Sequence, residues 1–240
     1  VPDDNFEQEL INLGLDSGPL NDTVPTAAID TVQDLQLNSK SIYDLTGIED
    51  FASLEILNLE INAIDSLDLT QNTNLNSLNC QFNALQGNLD LSNNTSLTFL
   101  KAKGNAITSV SLPSNSLITY LNFESNQLSV IDLSSLTNVY YCNLKNNNLT
   151  SVDASNCIGV QYLFVNNNNL NTLKFNNGSN TTVSLFNSTG NPNLQCIEVD
   201  DPAYSSISPI WYEDTWSAYS TNCSLAGCMD PLACNYNPLA

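Results

Sequence analysis

The 240-residue chain carries 5 Lys+Arg against 25 Asp+Glu, a formal net charge of −20, and it contains no histidine. This charge opposes binding to nucleic acid and to anionic membrane surfaces, and the lack of histidine excludes Ser–His or Cys–His catalysis and histidine-based zinc sites. No apolar stretch is long enough to span a membrane, and the opening residues lack the basic and apolar regions of a secretion signal, which is therefore absent or already removed.

Residues 1–31 are predicted to form a helical N-terminal cap. Asp4 fits the helix N-cap, Glu7 follows it three residues later, and Gly14 ends the helix. The apolar side chains expected to face the rest of the molecule are Phe6, Leu10, Ile11 and Leu13. A second short helix is expected at 26–31. The intervening "LDSGPLND" has a faint similarity to a calcium loop but lacks its closing glutamate, so calcium is only a minor alternative there.

Six copies of one pattern follow between residues 54 and 175, among them "ITYLNFESNQLSVIDL" at 118–133. The asparagines that the copies share are spaced 21, 22, 21, 21 and 21 residues apart: Asn62, Asn83, Asn105, Asn126, Asn147 and Asn168. An incomplete copy precedes them at 32–42, and a degenerate copy runs to Asn191. A fixed period of this length predicts a solenoid of stacked coils.

The shared pattern L-x-x-L-x-L-x-x-N-x-L resembles the signature of leucine-rich repeat proteins over residues 32–195, about seven to eight coils. The chain is similar to the short-repeat class of secreted bacterial leucine-rich repeat proteins found in marine Bacteroidetes. The resemblance implies a short parallel strand in every coil on the concave face. It also implies that each repeated asparagine is buried at the following turn, where its amide bonds backbone groups of adjacent coils.

A second motif in each coil alternates with period two, and a 21-residue coil leaves little room for a long helix, so further short strands are expected on the convex side. These motifs are "SLDL" (66–69), "NLDL" (88–91), "SVSL" (109–112), "VIDL" (130–133), "SVDA" (151–154) and "TLKF" (172–175). The predicted fold class is a mostly-β leucine-rich repeat solenoid with a helical N-terminal cap and a disulfide-bonded C-terminal cap.

Residues 196–224 are predicted to form the C-terminal cap, with four aromatic side chains covering the last coil: Trp211, Tyr212, Trp216 and Tyr219. The resemblance to the family's cap implies a disulfide between Cys196 and Cys223. Residues 225–240 resemble the start of a cysteine-rich module, in which Cys228 pairs either with Cys234 or with a cysteine elsewhere. Cysteines crowded in this way indicate an oxidising compartment, hence a secreted or cell-surface protein.

The remaining cysteines lie within the repeats. Cys80 and Cys142 occupy inward positions in coils too far apart to pair, so both are expected to be buried free thiols. Cys157 falls at a turn.

Outward-facing positions of the predicted concave strands align in columns from coil to coil. One column places an aromatic residue in four consecutive coils, and the neighbouring columns add one more aromatic and three of the five basic residues: Phe99, Tyr120, Tyr141, Tyr162, then Phe164, Lys101, Lys103 and Lys145. Exposed aromatic residues are typical of interaction surfaces. The alternative is that an aromatic ladder merely stabilises the parallel sheet by stacking between strands.

The convex side is predicted to carry two further rows. Four carboxylates recur at equivalent positions, Asp68, Asp90, Asp132 and Asp153, and four hydroxyls follow them, Thr70, Ser92, Ser134 and Ser155. With one carboxylate in each coil, a high-affinity calcium site is not expected. Hydroxyl rows also occur in ice-binding proteins, but Pro113 and Asn176 interrupt this one, so ice binding is a minor alternative.

The sequence predicts a secreted, monomeric, non-enzymatic recognition or adhesion module that binds a protein through the concave face and needs no cofactor. The alternatives are binding of an acidic polysaccharide on the same face and a structural spacer within a larger surface protein. No acid–base pair, nucleophile constellation or metal cluster can be assembled from the pattern, so an enzyme is the least favoured class.

Overall fold

The computed structural model describes residues 1–114 and 116–223, so Cys228, Cys234 and the predicted tail module lie outside the described residues. In chain order the elements are α1 (Asp4–Asn12), α2 (Thr26–Ile29), β1 (Asp34–Gln36), β2 (Ile56–Asn58), β3 (Ser77–Asn79), β4 (Gln86–Asp90), β5 (Phe99–Lys101), β6 (Ala106–Ser111), β7 (Tyr120–Asn122), β8 (Tyr141–Asn143), β9 (Ser151–Asp153), β10 (Tyr162–Phe164), β11 (Thr172–Phe175), β12 (Leu185–Asn187), β13 (Cys196–Val199), α3 (Pro202–Ile207), β14 (Trp211–Tyr212) and β15 (Ala218–Ser220). Single turns of 3₁₀ helix lie at Ile48–Asp50 and Asn180–Thr182.

One strand from each coil joins a nine-stranded parallel sheet in the order β1-β2-β3-β5-β7-β8-β10-β12-β14. The middle residue of each strand points into the coil, and these side chains stack in register from Leu35 to Trp211 with at most 5% of any one exposed. Leu121 and Phe123 are fully buried. Tyr120, which lies between Phe99 and Tyr141 in the sheet, faces outward and is only partly covered. The predicted strand-rich solenoid is therefore confirmed.

Asparagine amides occupy the turns that follow the concave strands of the six repeat copies, buried at Asn126, Asn147 and Asn168 and half-buried at Asn62, Asn83 and Asn105. The side-chain amide of Asn147 donates to the carbonyls of Phe123 (2.9 Å) and Leu144 (3.0 Å), and its Oδ1 accepts from the Leu128 N–H (2.9 Å). Each amide thus joins its own coil to the preceding one and satisfies backbone groups that the turn leaves without a partner. The same arrangement recurs at Asn62, Asn83, Asn105, Asn126 and Asn168.

The convex side differs from the prediction. Its strands form two separate parallel sheets, β4-β6 and β15-β13-β11-β9, and the strands predicted at 66–69 and 130–133 are wrong. Within the described chain, no backbone–backbone hydrogen bond links either segment to a neighbouring coil. Both segments keep the alternating pattern, but a pattern produces a strand only where a partner strand lies within hydrogen-bonding distance.

The helical cap closes the first coil through one carboxylate. The N-cap is Asp3 rather than the predicted Asp4: its Oδ1 accepts from two N–H groups of α1, and its Oδ2 accepts from the N–H groups of Tyr43 and Asp44. Phe6 and Leu10 are buried as predicted, but Leu13 is 47% exposed because it follows the last helical turn, and its predicted inward orientation is wrong.

Glu7 does not close a capping box. It is fully buried, and its carboxylate accepts the backbone N–H groups of Asn21 (2.8 Å) and Asp22 (3.0 Å). The loop that resembles a calcium site is therefore held in place by a carboxylate from α1.

The C-terminal segment continues the solenoid and closes it. Cys196 and Cys223 form a disulfide. The pairing that the family resemblance implied is therefore confirmed. Trp211 packs on the rings of Phe175 (5.5 Å) and Phe186 (4.7 Å). Tyr212 and Trp216 are 48% and 52% exposed, and Trp216 Nε1 donates to the Asn191 carbonyl of the last repeat copy (3.3 Å).

Candidate interaction surface

The predicted aromatic column lies on the outer face of the nine-stranded sheet. Phe99, Tyr120, Tyr141 and Tyr162 are direct register partners on β5, β7, β8 and β10, and all four are partly exposed. On the next outward position, Lys101 and Phe164 occupy one column with Asn122 and Asn143 between them. The structure therefore brings together the five aromatic residues that the sequence pattern singled out.

The rings stack on one another at one end of the column and separate at the other. Ring centroids are 4.7 Å apart for Phe99–Tyr120 and 4.5 Å for Tyr120–Tyr141, with interplanar angles of 21° and 3°. Tyr162 and Phe164 lie 6.1 Å and 5.7 Å from Tyr141 and are tilted by 37° and 51°. The inner rings therefore expose mainly their edges, because their faces are covered by one another.

The basic residues beside the column are largely engaged within the chain. Lys103 and Lys145 both approach the Glu124 carboxylate, with N–O distances of 3.1 Å and 3.9 Å. The Lys101 ammonium lies 5.1 Å and 5.7 Å from the ring centroids of Phe99 and Tyr120, a cation–π geometry. Glu124 thus offsets part of the positive patch that the sequence pattern predicted.

The surroundings of two tyrosines at this face, Tyr140 and Tyr141, raise the pKa of their hydroxyls. Desolvation raises the pKa of Tyr141, although a hydrogen bond from Asn143 (3.3 Å) to its hydroxyl opposes the change. A hydrogen bond with Tyr162 raises the pKa of Tyr140, whose ring meets that of Tyr162 edge-on at 5.4 Å. With their pKa values raised, Tyr140 and Tyr141 are neutral hydrogen-bonding groups near neutral pH.

Three exposed apolar residues at this face were missed by the sequence reasoning. Tyr140 precedes β8 by one residue and extends the aromatic column sideways. Ile61 and Phe82, 53% and 46% exposed, adopt φ values of 58° and 57° at the turns before Asn62 and Asn83, where other coils carry serine, asparagine or glycine. Aligning this turn position across the coils would have revealed both, since bulky residues rarely adopt a left-handed backbone.

The convex acidic and hydroxyl rows satisfy one another locally. Asp68 Oδ1 accepts both the N–H (3.0 Å) and the hydroxyl (2.7 Å) of Thr70, and Asp90, Asp132 and Asp153 accept the N–H of the serine two residues later. The hydroxyl hydrogen bond from Thr70 lowers the pKa of Asp68, and the backbone N–H of Ser92 lowers that of Asp90. The two rows therefore act as turn-forming pairs.

The three cysteines within the repeats are buried free thiols. Burial raises the pKa of both Cys80 and Cys157 to about 12, and it also raises that of Cys142. The expectation of buried free thiols at Cys80 and Cys142 is confirmed, and Cys157 joins them.

Residues 1–114 and 116–223 are the part of the chain that the structure describes. They contain no group of three or more histidine, cysteine or carboxylate side chains placed to hold a metal ion. None of their helices has the length and apolar character needed to cross a membrane.

No protein-family model and no curated protein sequence matches the chain, but solved structures do. An internalin, InlF of Listeria monocytogenes, aligns with a TM-score of 0.53 at 22% identity over 93% of this chain and 72% of that one. The leucine-rich repeat protein LIC12759 of Leptospira interrogans aligns with a TM-score of 0.52 at 20% identity, over 82% of this chain and 58% of that one. The fold is a leucine-rich repeat solenoid.

The solenoid also aligns with the plant peptide hormone receptor RGFR1, solved in complex with RGF2, with a TM-score of 0.56 at 18% identity. That alignment covers 74% of this chain but only 34% of the receptor. The chain thus spans less than two thirds of two of these three proteins, and the likeness at such identities concerns the fold.

Proposed function

We propose that the solenoid is a secreted or cell-surface, non-enzymatic recognition module that binds a protein through the aromatic column and its flanks. The observation that carries this proposal is the row of partly exposed rings at Phe99, Tyr120, Tyr141 and Tyr162 on the outer face of the sheet. Aromatic residues left in contact with water forfeit burial free energy that a partner restores, and tyrosine is enriched among residues that dominate binding.

A protein partner suits the ring geometry better than an acidic polysaccharide. Sugar rings stack on aromatic faces, whereas the faces between Phe99, Tyr120 and Tyr141 are occupied by one another. The Glu124 carboxylate lies between Lys103 and Lys145, so a polyanion would meet a negative charge at the centre of the basic cluster. The Cys196–Cys223 disulfide supports an extracellular setting, and RGFR1 offers an analogy for peptide recognition by this fold.

The test is a parallel screen of purified secreted and surface proteins and of a glycan array, using residues 1–240. Each hit is retested with the triple variant Tyr120→Ala, Tyr141→Ala and Tyr162→Ala. The matched control removes three side chains that are exposed away from the column, Tyr43→Ala, Val130→Ala and Ile158→Ala. Urea unfolding of both variants separates lost binding from lost folding.

A protein hit that disappears in the column variant and persists in the control supports the proposal. An acidic-glycan hit that disappears in the column variant and persists in the control would favour the polysaccharide alternative. A protein hit that is indifferent to the column variant would refute the assigned surface, and an absence of hits would favour the spacer.

A further inference from the structure

A groove of about 530 Å³ opens on the convex side where the segment 66–69 recedes from its neighbours. Its apolar lining residues, which we call the floor, include Ile48, Leu67 and Leu89 beside a larger polar lining, and residues between 44 and 49 of the first coil form one wall. The opposite wall is β4. The volume falls within the range of ligand-binding clefts, roughly 300–1,000 Å³, and the groove lies well away from the aromatic column because it belongs to the other face of the solenoid.

The β4 wall is an unpaired sheet edge. Alternate residues of a parallel strand present their N–H and C=O groups to opposite neighbours. Gln86 donates to the Asp65 carbonyl on the groove side (3.2 Å), whereas Leu91 donates to Ser111 on the β6 side (2.9 Å), so Asn88 and Asp90 face the groove. Among the described residues, no backbone–backbone hydrogen bond reaches 88–90 from the segment 66–69.

An exposed edge of this kind accepts an added strand, since main-chain hydrogen bonds supply affinity and alternate side chains enter pockets. The apolar floor suits small branched side chains on one face of such a strand. The rim carries three carboxylates, Asp44, Glu49 and Asp68, and no lysine or arginine lines the groove. Each rim carboxylate uses one oxygen in a local turn, with Thr46, Gly47 and Thr70 as the respective donors.

We propose that this groove binds an extended basic segment of a partner protein by strand addition to the free edge of β4. The site is independent of the aromatic column, so either can operate without the other. Lysine or arginine side chains of the added strand meet the rim carboxylates, while its apolar side chains cover Ile48, Leu67 and Leu89.

The experiment uses residues 1–240 and a fluorescent probe peptide of alternating valine and lysine, seven residues long, with an N-methylated twin that lacks alternate backbone N–H groups. Peptide affinity is measured by anisotropy, and exchange of the Asn88 and Asp90 amides is followed by NMR. The variant Asp44→Asn with Asp68→Asn is compared with Asp132→Asn with Asp153→Asn, which removes the same charge from equivalent turns on the same face. Asparagine retains the oxygen that accepts the turn N–H in all four positions.

The expected result is binding that slows exchange at Asn88 and Asp90, that the N-methylated twin loses, and that the groove variant weakens about fivefold, since each exposed ion pair contributes little. The control pair should leave the affinity within about twofold. Equal weakening by both pairs would mean general attraction of a cationic peptide to a chain of charge −20 and would overturn the proposal. Unchanged amide exchange, full binding of the N-methylated twin, or no binding would overturn it as well.

Discussion

Replacement of Asn147 by alanine tests whether the buried amides hold the coils together. The substitution removes the acceptor of the Leu128 N–H and the donors to the Phe123 and Leu144 carbonyls. An unpaired buried N–H costs about 1–3 kcal/mol and each lost neutral hydrogen bond about 1 kcal/mol, so we expect a loss of about 3 kcal/mol in the free energy of unfolding. That is a large part of the stability of an ordinary domain.

The assay is urea unfolding followed by circular dichroism, with Asn148→Ala as the matched control because that neighbouring side chain is exposed. The control should change the free energy of unfolding by less than about 0.5 kcal/mol. A loss below about 1 kcal/mol for Asn147→Ala, or equal losses for the two variants, would refute the assignment of these amides as the bonds between coils.

Three further predictions follow from individual residues. Ile61→Asn should stabilise the protein by about 1 kcal/mol in urea, because a β-branched residue is strained at its φ of 58°; a loss of stability would contradict this. Reduction of Cys196–Cys223, which closes 27 residues, should cost about 3 kcal/mol and increase amide exchange in β13 and β15 first; exchange rising first in β1 would be inconsistent with that order. Iodoacetamide at pH 8 should leave Cys80 and Cys157 unlabelled in the native protein, since thiols with a pKa of about 12 are almost entirely protonated there, and label both in urea; rapid native labelling would show that the coils open.

The coil and its outward columns were predictable because the same pattern of apolar positions and asparagine repeats in each copy. The apolar positions of Leu121 and Phe123 recur in every copy with the same spacing to the shared asparagine, so inward and outward positions could be assigned. The register of Tyr120 with Tyr141 follows from the 21-residue spacing. What was missed depends on distances between coils, which the pattern does not encode. The pairing of Glu124 with Lys103 and Lys145 is different, because these residues share the 21-residue spacing and the pairing could have been predicted from it.

The convex strands illustrate the same limit. "VIDL" at 130–133 and "SVDA" at 151–154 alternate alike, yet strand pairing occurs only in the second, where Lys174 and Asp153 are register partners in β11 and β9. The N-cap of α1 also depends on a contact between segments that are distant in the sequence. Asp3 and Asp4 are chemically equivalent, and Asp3 takes the role because its second oxygen reaches the N–H groups of Tyr43 and Asp44.

The two convex segments without interstrand bonds bear on the mechanics of the solenoid. The concave sheet runs without a break through nine strands, so any change in its curvature must stretch or compress the opposite side. Resistance there is weakest at 66–69 and 130–133, where no backbone–backbone hydrogen bond among the described residues reaches a neighbouring coil. Each segment keeps a side-chain bond to the next coil, from Asn94 Nδ2 to the Leu69 carbonyl (3.1 Å) and from Cys157 Sγ to the Leu133 carbonyl (4.0 Å). The second segment belongs to the coil that begins with Tyr120 and precedes the one containing Tyr141, so a change in curvature meets least backbone resistance directly behind the aromatic column.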